Sequence, residues 1–208
     1  MEKKWTEFFH LWSRTEEYHS RIETSKNVIS KAFLSYSNPY LSYSGGKDST
    51  VMLHLIIQEK PDINIWHWDY GNFLIPREIE EEILRNAEQI GGENIIVNKR
   101  IGDDARTNHS MGYGQFFGAI NKLRKKYHWD LGFIGIRQEE SLRRKRVYKH
   151  FFEDGNCYPL LRLSWKDVWA YIISNNLPYS SVYDKYGVLL GYDQARLVTF
   201  LIKNLNLN

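Results

Sequence analysis

Residues 42–50 read SYSGGKDST, between the apolar pair YL and the run VMLHLII. Gly45 and Gly46 have no side chains, so the backbone can turn tightly and aim several N–H groups at one anion. A helix beginning near Asp48 adds the positive end of its dipole, equivalent to about half a charge. Lys47 supplies a full positive charge, and Ser44, Ser49 and Thr50 supply hydroxyl donors. Together these residues have the chemistry of a phosphate site. Asp48 is the exception, because a carboxylate repels phosphate unless a divalent cation stands between them; this makes Asp48 the candidate ligand for Mg2+. The string is neither G-x-x-x-x-G-K-[ST] nor G-x-G-x-x-G, so kinase and dehydrogenase chemistry lose their main support.

Such a turn needs a strand before it and a helix after it, and the flanking sequence provides both. Aromatic residues Trp5, Phe8, Phe9 and Trp12 recur at helical spacing, and the pattern continues less regularly to Phe33, which predicts a helical segment over residues 1–35. A short strand enters the glycine turn, and DSTVMLHLIIQEK leaves it as a helix that stops at Pro61. INIWHWD, NIIVNKR, LGFIGI and CYPLLRL read as four further strands, separated by helical segments. Ser164 is a natural N-cap for the last of these helices. Residues 102–114 have no period and several glycines, and read as a mobile loop beside the site. The alternation predicts an α/β fold with a mostly parallel sheet of about five strands, helices on both faces, and ligands bound beyond the carboxyl ends of the strands.

The remaining composition narrows the function classes. The chain has 208 residues, 42% apolar and 25% charged, with no run near the roughly 20 apolar residues of a membrane span. No secretory signal is read at MEKKWTEFF, and the lone Cys157 has no disulfide partner in the chain, so a cytoplasmic protein is expected. Seven histidines occur, but no H-x-x-x-H and no cysteine pair, so zinc is not expected. One cysteine excludes an iron–sulfur cluster held by this chain. The net charge of +3 is concentrated in KLRKK at 122–126 and RRKR at 143–146. Each run is either a solvated helix face or the footprint of an anionic partner.

SGGKDS resembles the PP-loop of the N-type ATP pyrophosphatases, and three further segments are similar to one branch of that group, the phosphoadenosine phosphosulfate (PAPS) reductase family. HWDYGNFLIPREI resembles the family's V-D-T-G segment, with Asp69 and Gly71 in place and Tyr70 where threonine is usual. GIRQEESLRRKR resembles G-x-R-x-x-E-S-x-x-R through Gly135, Arg137, Glu140, Ser141 and Arg144. A longer segment keeps Pro159, Leu160, Asp167, Val168, Trp169, Leu177, Pro178, Tyr183 and Asp184. The resemblance implies an adenine nucleotide α-hydrolase-like domain over residues 38–186, a packed N-terminal helical segment at 1–37 and a helical tail at 187–208. It also implies that Ser44, Gly45, Gly46, Lys47, Ser49 and Thr50, with Asp69, Gly71, Arg137 and Arg144, bind the nucleotide, and that Lys47 and Asp48 act in catalysis.

The chain departs from the family where the chemistry is sharpest. The family's reductases attack the sulfonucleotide sulfur with a cysteine in a C-terminal E-C-G-x-H segment, which is missing here, as are the cysteine pairs that follow the Y-D segment in many relatives. Cys157, at the start of a strand, is expected to be a small buried hydrophobe. The leading expectation is therefore an ATP-using enzyme that adenylylates an unknown acceptor and releases pyrophosphate, with Lys47 and Mg2+ stabilising the leaving group. The alternatives are a sulfonucleotide reductase that takes its thiol from elsewhere, and a non-catalytic nucleotide- or nucleic-acid-binding subunit of a complex. Homo-oligomer and complex subunit both remain open.

Overall fold

The computed structural model describes residues 1–71, 74–101 and 113–193. Helices α1 (Lys3–Trp12) and α2 (Glu16–Ser35) lead into β1 (Pro39–Tyr43) and α3 (Lys47–Ile57). Then follow β2 (Asn64–Asp69), α4 (Arg77–Ile90), β3 (Asn94–Lys99), α5 (Tyr113–Tyr127) and β4 (Leu131–Ile134). A single 3-10 turn, Gln138–Glu140, precedes α6 (Leu142–Val147), the short strands β5 (Phe152–Glu153) and β6 (Asn156–Cys157), α7 (Trp165–Ser174) and α8 (Val182–Leu190). Among the described residues no helix is long and apolar enough to cross a membrane.

Among the described residues the sheet has six strands in the order β3-β2-β1-β4-β6-β5, all parallel except the β5–β6 pair. β1 lies between β2 and β4, and its chain direction is where the winding reverses. The loops after β1 and β4 therefore diverge and leave a crevice at the carboxyl edge of the sheet. Alternation along the central strands fills two cores. Leu41, Tyr43, Ile65, Leu131 and Phe133 face the larger one, shared with α1, α2, α3, α4 and α7. Tyr40, Trp66 and Trp68 face the smaller one, closed by α5 and Trp129. Tyr40 and Trp129 stack at 4.5 Å.

Several expectations change here. The N-terminal helical segment is two helices, because the Thr15 side chain accepts from the Tyr18 N–H at 3.3 Å and starts a new helix. The expected fifth strand, CYPLLRL, keeps only its first residue in the sheet. Pro159 has no N–H to donate, and residues 158–163 turn back on themselves through Leu161 N–H to Tyr158 O (3.1 Å) and Leu163 N–H to Leu160 O (2.9 Å). Leu160, Leu161 and Leu163 are buried without being a strand. The antiparallel edge strand β5 was not expected and raises the count from about five to six. The expected boundary between residues 186 and 187 falls inside α8. The expected mobile loop lies, over residues 102–112, outside the described residues.

The N-terminal helices are part of the same body. Asp167 forms the capping box of α7 with Ser164 (2.7 and 3.2 Å) and also accepts from Trp12 Nε1 at 2.8 Å and Arg21 Nη1 at 3.0 Å. Asp167 is fully buried, so these bonds replace the water it has lost.

Candidate nucleotide site

The glycine turn occupies the crevice that the topology creates. Gly45 has φ +73°, and a Cβ there would lie 2.5 Å from Ile83 of α4, so both the backbone and the packing require glycine. Gly46 is the N-cap of α3 and has no side chain to cap the helix; the Lys47 N–H donates to the Tyr183 hydroxyl at 3.1 Å, and the next two amides, of Asp48 and Ser49, stay open to a ligand. Gly135, at the end of β4, passes so close that a Cβ would lie 3.3 Å from the Ser49 nitrogen. The strand ends on both sides of the crevice thus converge on the first turn of α3.

Below the turn, His67 of β2 fixes the end of β1. Its Nδ1 donates to the Tyr43 carbonyl at 2.9 Å, and its Nε2 lies 2.6 Å from Glu80 of α4. All three residues are buried. Within the turn, the Ser49 hydroxyl donates to the Gly46 carbonyl at 2.9 Å and accepts from the Ser44 N–H at 3.2 Å. These hydroxyls hold the shape of the loop.

A cleft of about 870 Å3 opens above it. Ser44, Gly46, Lys47, Asp48 and Ser49 form its floor. Tyr70, Ile75, Phe116 and Phe117 line its apolar side, and Glu140, Ser141, Arg143, Arg144 and Tyr148 line its polar side. A phosphorylated ligand with a flat apolar part matches this division. Lys47 is only 1% exposed, with its ammonium 3.6 Å from Asp48 and 5.6 Å from the centre of the Tyr183 ring.

Asp48 is the centre of a charge network. The Arg137 Nε donates to it, Lys47 lies on its other oxygen, and Arg144 contributes from farther away. Burial works to raise the Asp48 carboxyl, but these cations outweigh it and hold the group below its ordinary value. Arg144 pairs with Glu140.

The expected site residues divide into two sets. Ser44, Gly46, Lys47, Asp48, Ser49 and Arg144 line the cleft, whereas Gly45, Thr50, Asp69, Gly71 and Arg137 do not. Thr50 is buried near the Tyr43 phenol, which itself donates to the Ile83 carbonyl at 3.3 Å. Asp69 takes two bonds of 2.8 Å from the Arg77 guanidinium and one of 2.7 Å from the Gly71 N–H. Its carboxylate is occupied in shaping the loop after β2, where Gly71 has φ +86°. Arg137, 2% exposed, spends its guanidinium on Asp48, on Glu139 at 3.1 Å and on the Leu163 carbonyl at 3.5 Å. It positions Asp48 and does not reach into the cleft.

The Mg2+ expectation fits poorly with these donors. Asp48 is already shared by two cations, and among the described residues no group of three His, Cys, Asp or Glu is placed to hold a metal ion. Cys157 is fully buried in the sheet, and burial pushes its thiol far up from its ordinary value.

The sequence reading missed two residues of the site. Tyr183 lies in a quoted motif without a role, yet it touches the loop at Lys47. Arg143, in the RRKR run that the sequence leaves open between a solvated face and an anion footprint, lines the cleft. Its signal in the sequence is weak, because only the short helix α6 turns it toward the crevice.

Comparison with known proteins agrees with this architecture. The chain is 25% identical over 194 residues to adenosine 5'-phosphosulfate reductase of Bacillus cereus (strain AH187), covering 85% of this chain and 82% of that protein. Against the adenosine 5'-phosphosulfate reductase of Geobacillus sp. (strain WCH70) it is 25% identical over 197 residues, covering 85% and 83%. The crystal structure of phosphoadenylyl-sulfate (PAPS) reductase from Candida auris, a phosphate complex, superposes with a TM-score of 0.56 at 13% identity, covering 89% of this chain and 92% of that one. It shows the same α/β fold. The phosphoadenosine phosphosulfate reductase domain matches residues 38–192, most of the chain, and the protein therefore belongs to that family, within the PP-loop adenine nucleotide α-hydrolase-like superfamily.

Proposed function

We propose that this protein binds an adenosine 5'-phosphosulfate-type nucleotide at the glycine turn and acts in sulfonucleotide reduction, with the attacking thiol supplied from outside these residues. The observation that carries this reading is the buried Lys47 ammonium at the floor of the cleft, beside the open first turn of α3. The relatives named as adenosine 5'-phosphosulfate reductases support the choice of nucleotide.

In this reaction a thiolate sulfur attacks the sulfonate sulfur, and the bond from that sulfur to the phosphate oxygen breaks. The electron pair stays on the departing nucleoside 5'-phosphate, and an S-sulfonated thiol forms. A second thiol then displaces sulfite and closes a disulfide. Lys47 and the α3 amides stabilise the charge gathering on the departing phosphate. Asp48, held by Arg137, orients the Lys47 ammonium. Tyr70, Ile75 and Phe116 provide the apolar wall for the base. The nucleophile is not Cys157, which is buried away from the cleft.

The seclusion of Cys157 also favours a second reading, ATP cleavage at the α-phosphate with adenylylation of an acceptor, because that chemistry needs no thiol. One experiment tests both. Adenosine 5'-phosphosulfate and adenosine 5'-monophosphate are titrated into wild-type and Lys47→Ala protein, and sulfite is measured with and without an added dithiol protein. The expected result is binding that weakens about 10- to 150-fold in Lys47→Ala, the loss of one charge-assisted phosphate contact. Sulfite is expected only when the external dithiol is present. Equal affinity in the two proteins overturns the loop assignment. AMP and pyrophosphate formed from labelled ATP, without sulfite from the sulfonucleotide, replaces the first reading with the second.

A further inference from the structure

Residues 143–149 read RRKRVYK, five cations in seven positions, in and just after the helix α6 whose Arg143 and Arg144 line the cleft. Arg143, Lys145, Arg146 and Lys149 are exposed, and among the described residues none of these four makes an ion pair; only Arg144 has a carboxylate, that of Glu140. Four uncompensated like charges on so short a stretch repel one another, and the repulsion is relieved when a polyanion displaces small counterions. Helical spacing puts Arg143 and Val147 on one side of α6, and both line the cleft. Phe117 lines the same cleft with 57% of its surface exposed, an unusual position for a phenyl ring, and Tyr148 lines it too.

We propose that this exposed segment and the cleft edge it joins at Arg143 bind single-stranded nucleic acid, its phosphates on Arg143, Lys145, Arg146 and Lys149 and a base against Phe117. A row of cations beside accessible aromatic faces is the pattern that holds unpaired strands. A duplex keeps its base faces stacked internally and has no use for Phe117. An acidic protein would use the charges and leave the ring without a role. A strand held there passes the mouth of the cleft that holds Lys47, so loop-bound nucleotide and bound strand would be neighbours. The inference needs only the exposed residues and goes beyond the sulfonucleotide reading.

The test is fluorescence anisotropy with a labelled oligothymidylate of about 12 nucleotides, within the span such surfaces cover. Wild type is compared with the triple variant Lys145→Glu/Arg146→Glu/Lys149→Glu and with Phe117→Ala. Wild type should bind the strand more tightly than a duplex of equal length, with log K falling against log salt by about 0.7 for each phosphate neutralised. The triple variant should bind at least about tenfold more weakly with a shallower salt slope, and Phe117→Ala should lose the preference for the single strand. If charge reversal prevents folding, Lys145→Ala/Arg146→Ala/Lys149→Ala gives the same reading. Absence of wild-type binding at low salt, an unaffected triple variant, equal binding of duplex and strand, or competition by polyglutamate as strong as by oligothymidylate each overturns the proposal. Titration of adenosine 5'-phosphosulfate in parallel separates the two conclusions: nucleotide binding without strand binding removes this inference alone, and strand binding without nucleotide binding removes the proposed function alone.

Discussion

The backbone N–H of Lys47 donates to the Tyr183 hydroxyl at 3.1 Å, and the Lys47 ammonium lies 5.6 Å from the centre of the same ring. One residue of α8 thus supports the phosphate loop twice, across 136 positions of sequence. It accepts an N–H that helix geometry leaves without a carbonyl partner, and it gives the buried ammonium an electron-rich face.

Tyr183→Phe separates these two roles. The ring stays and the acceptor is lost, so a buried donor goes unsatisfied and stability should fall by about 1 kcal/mol. For a chain of this size that is a drop in melting temperature of about 2–4 °C. Nucleotide affinity should change far less than in Lys47→Ala, because the ammonium and its ring contact remain. A melting curve that superposes on the wild type would show that the N–H finds another partner and that the hydroxyl is dispensable.

Two glycines with left-handed backbone make a matched pair of tests. Gly71 has φ +86°, and among the described residues nothing lies within 4 Å of where a Cβ would go, so Gly71→Ala should carry only the left-handed backbone penalty, about 1–2 kcal/mol. Gly45 has φ +73° and its Cβ would overlap Ile83, so Gly45→Ala should add an overpacking penalty of about 1–3 kcal/mol. Urea denaturation should therefore rank Gly45→Ala below Gly71→Ala, and Gly45→Ala should cost less in an Ile83→Ala background, where the overlapping γ carbons are gone. Equal midpoints for the two alanine variants would mean that α4 does not constrain the loop.

The same residues show what can be read from sequence. The turn at Gly45 and Gly46 is legible because its function is local: glycines, lysine and hydroxyls lie within seven positions, between a strand and a helix. The alternation of strands and helices is legible for the same reason. The Arg137–Asp48 pair is not legible, because the two residues lie 89 positions apart and only the β1–β4 pairing brings them together. The Asp69–Arg77 pair is not legible either, because the two meet across eight positions only once α4 has formed. Leu160–Leu163 looks like a strand because burial alone makes it apolar, and periodicity cannot separate a buried turn from a buried strand over so short a run.

The Asp69–Arg77 pair should be visible in acid. Burial works to raise the Asp69 carboxyl, and the Arg77 guanidinium with the Gly71 N–H outweighs it and holds the group below its ordinary value. A depressed folded-state pKa means that the unfolded chain takes up the proton more readily. The pair's contribution is therefore complete above about pH 4, the ordinary carboxyl range, and is lost as pH falls through the depressed value. Asp48 follows the same sign. Arg77→Ala should move the acid unfolding midpoint, followed by far-ultraviolet circular dichroism, to higher pH. An unchanged midpoint would mean that the pair adds nothing to stability.

Cys157 should be chemically silent in the folded protein. It pairs with Phe133 of β4 and Phe152 of β5 in the sheet register, it is fully buried, and burial pushes its thiol far above the ordinary value. The attacking species in thiol chemistry is the thiolate, so a group raised in this way is neither charged nor accessible at neutral pH. An aromatic disulfide reagent should label no thiol in the native protein and one per chain after denaturation. Cys157→Ser should fold less stably by about 1–3 kcal/mol, because a hydroxyl replaces the thiol in an apolar strand. Cys157→Ala, which removes the sulfur without adding a polar group, should retain all nucleotide binding and whatever sulfite formation an external dithiol supports. Rapid labelling of the native chain, or a folded Cys157→Ala protein that binds nucleotide but has lost turnover, would return the nucleophile to this chain and remove the need for a second thiol-bearing molecule.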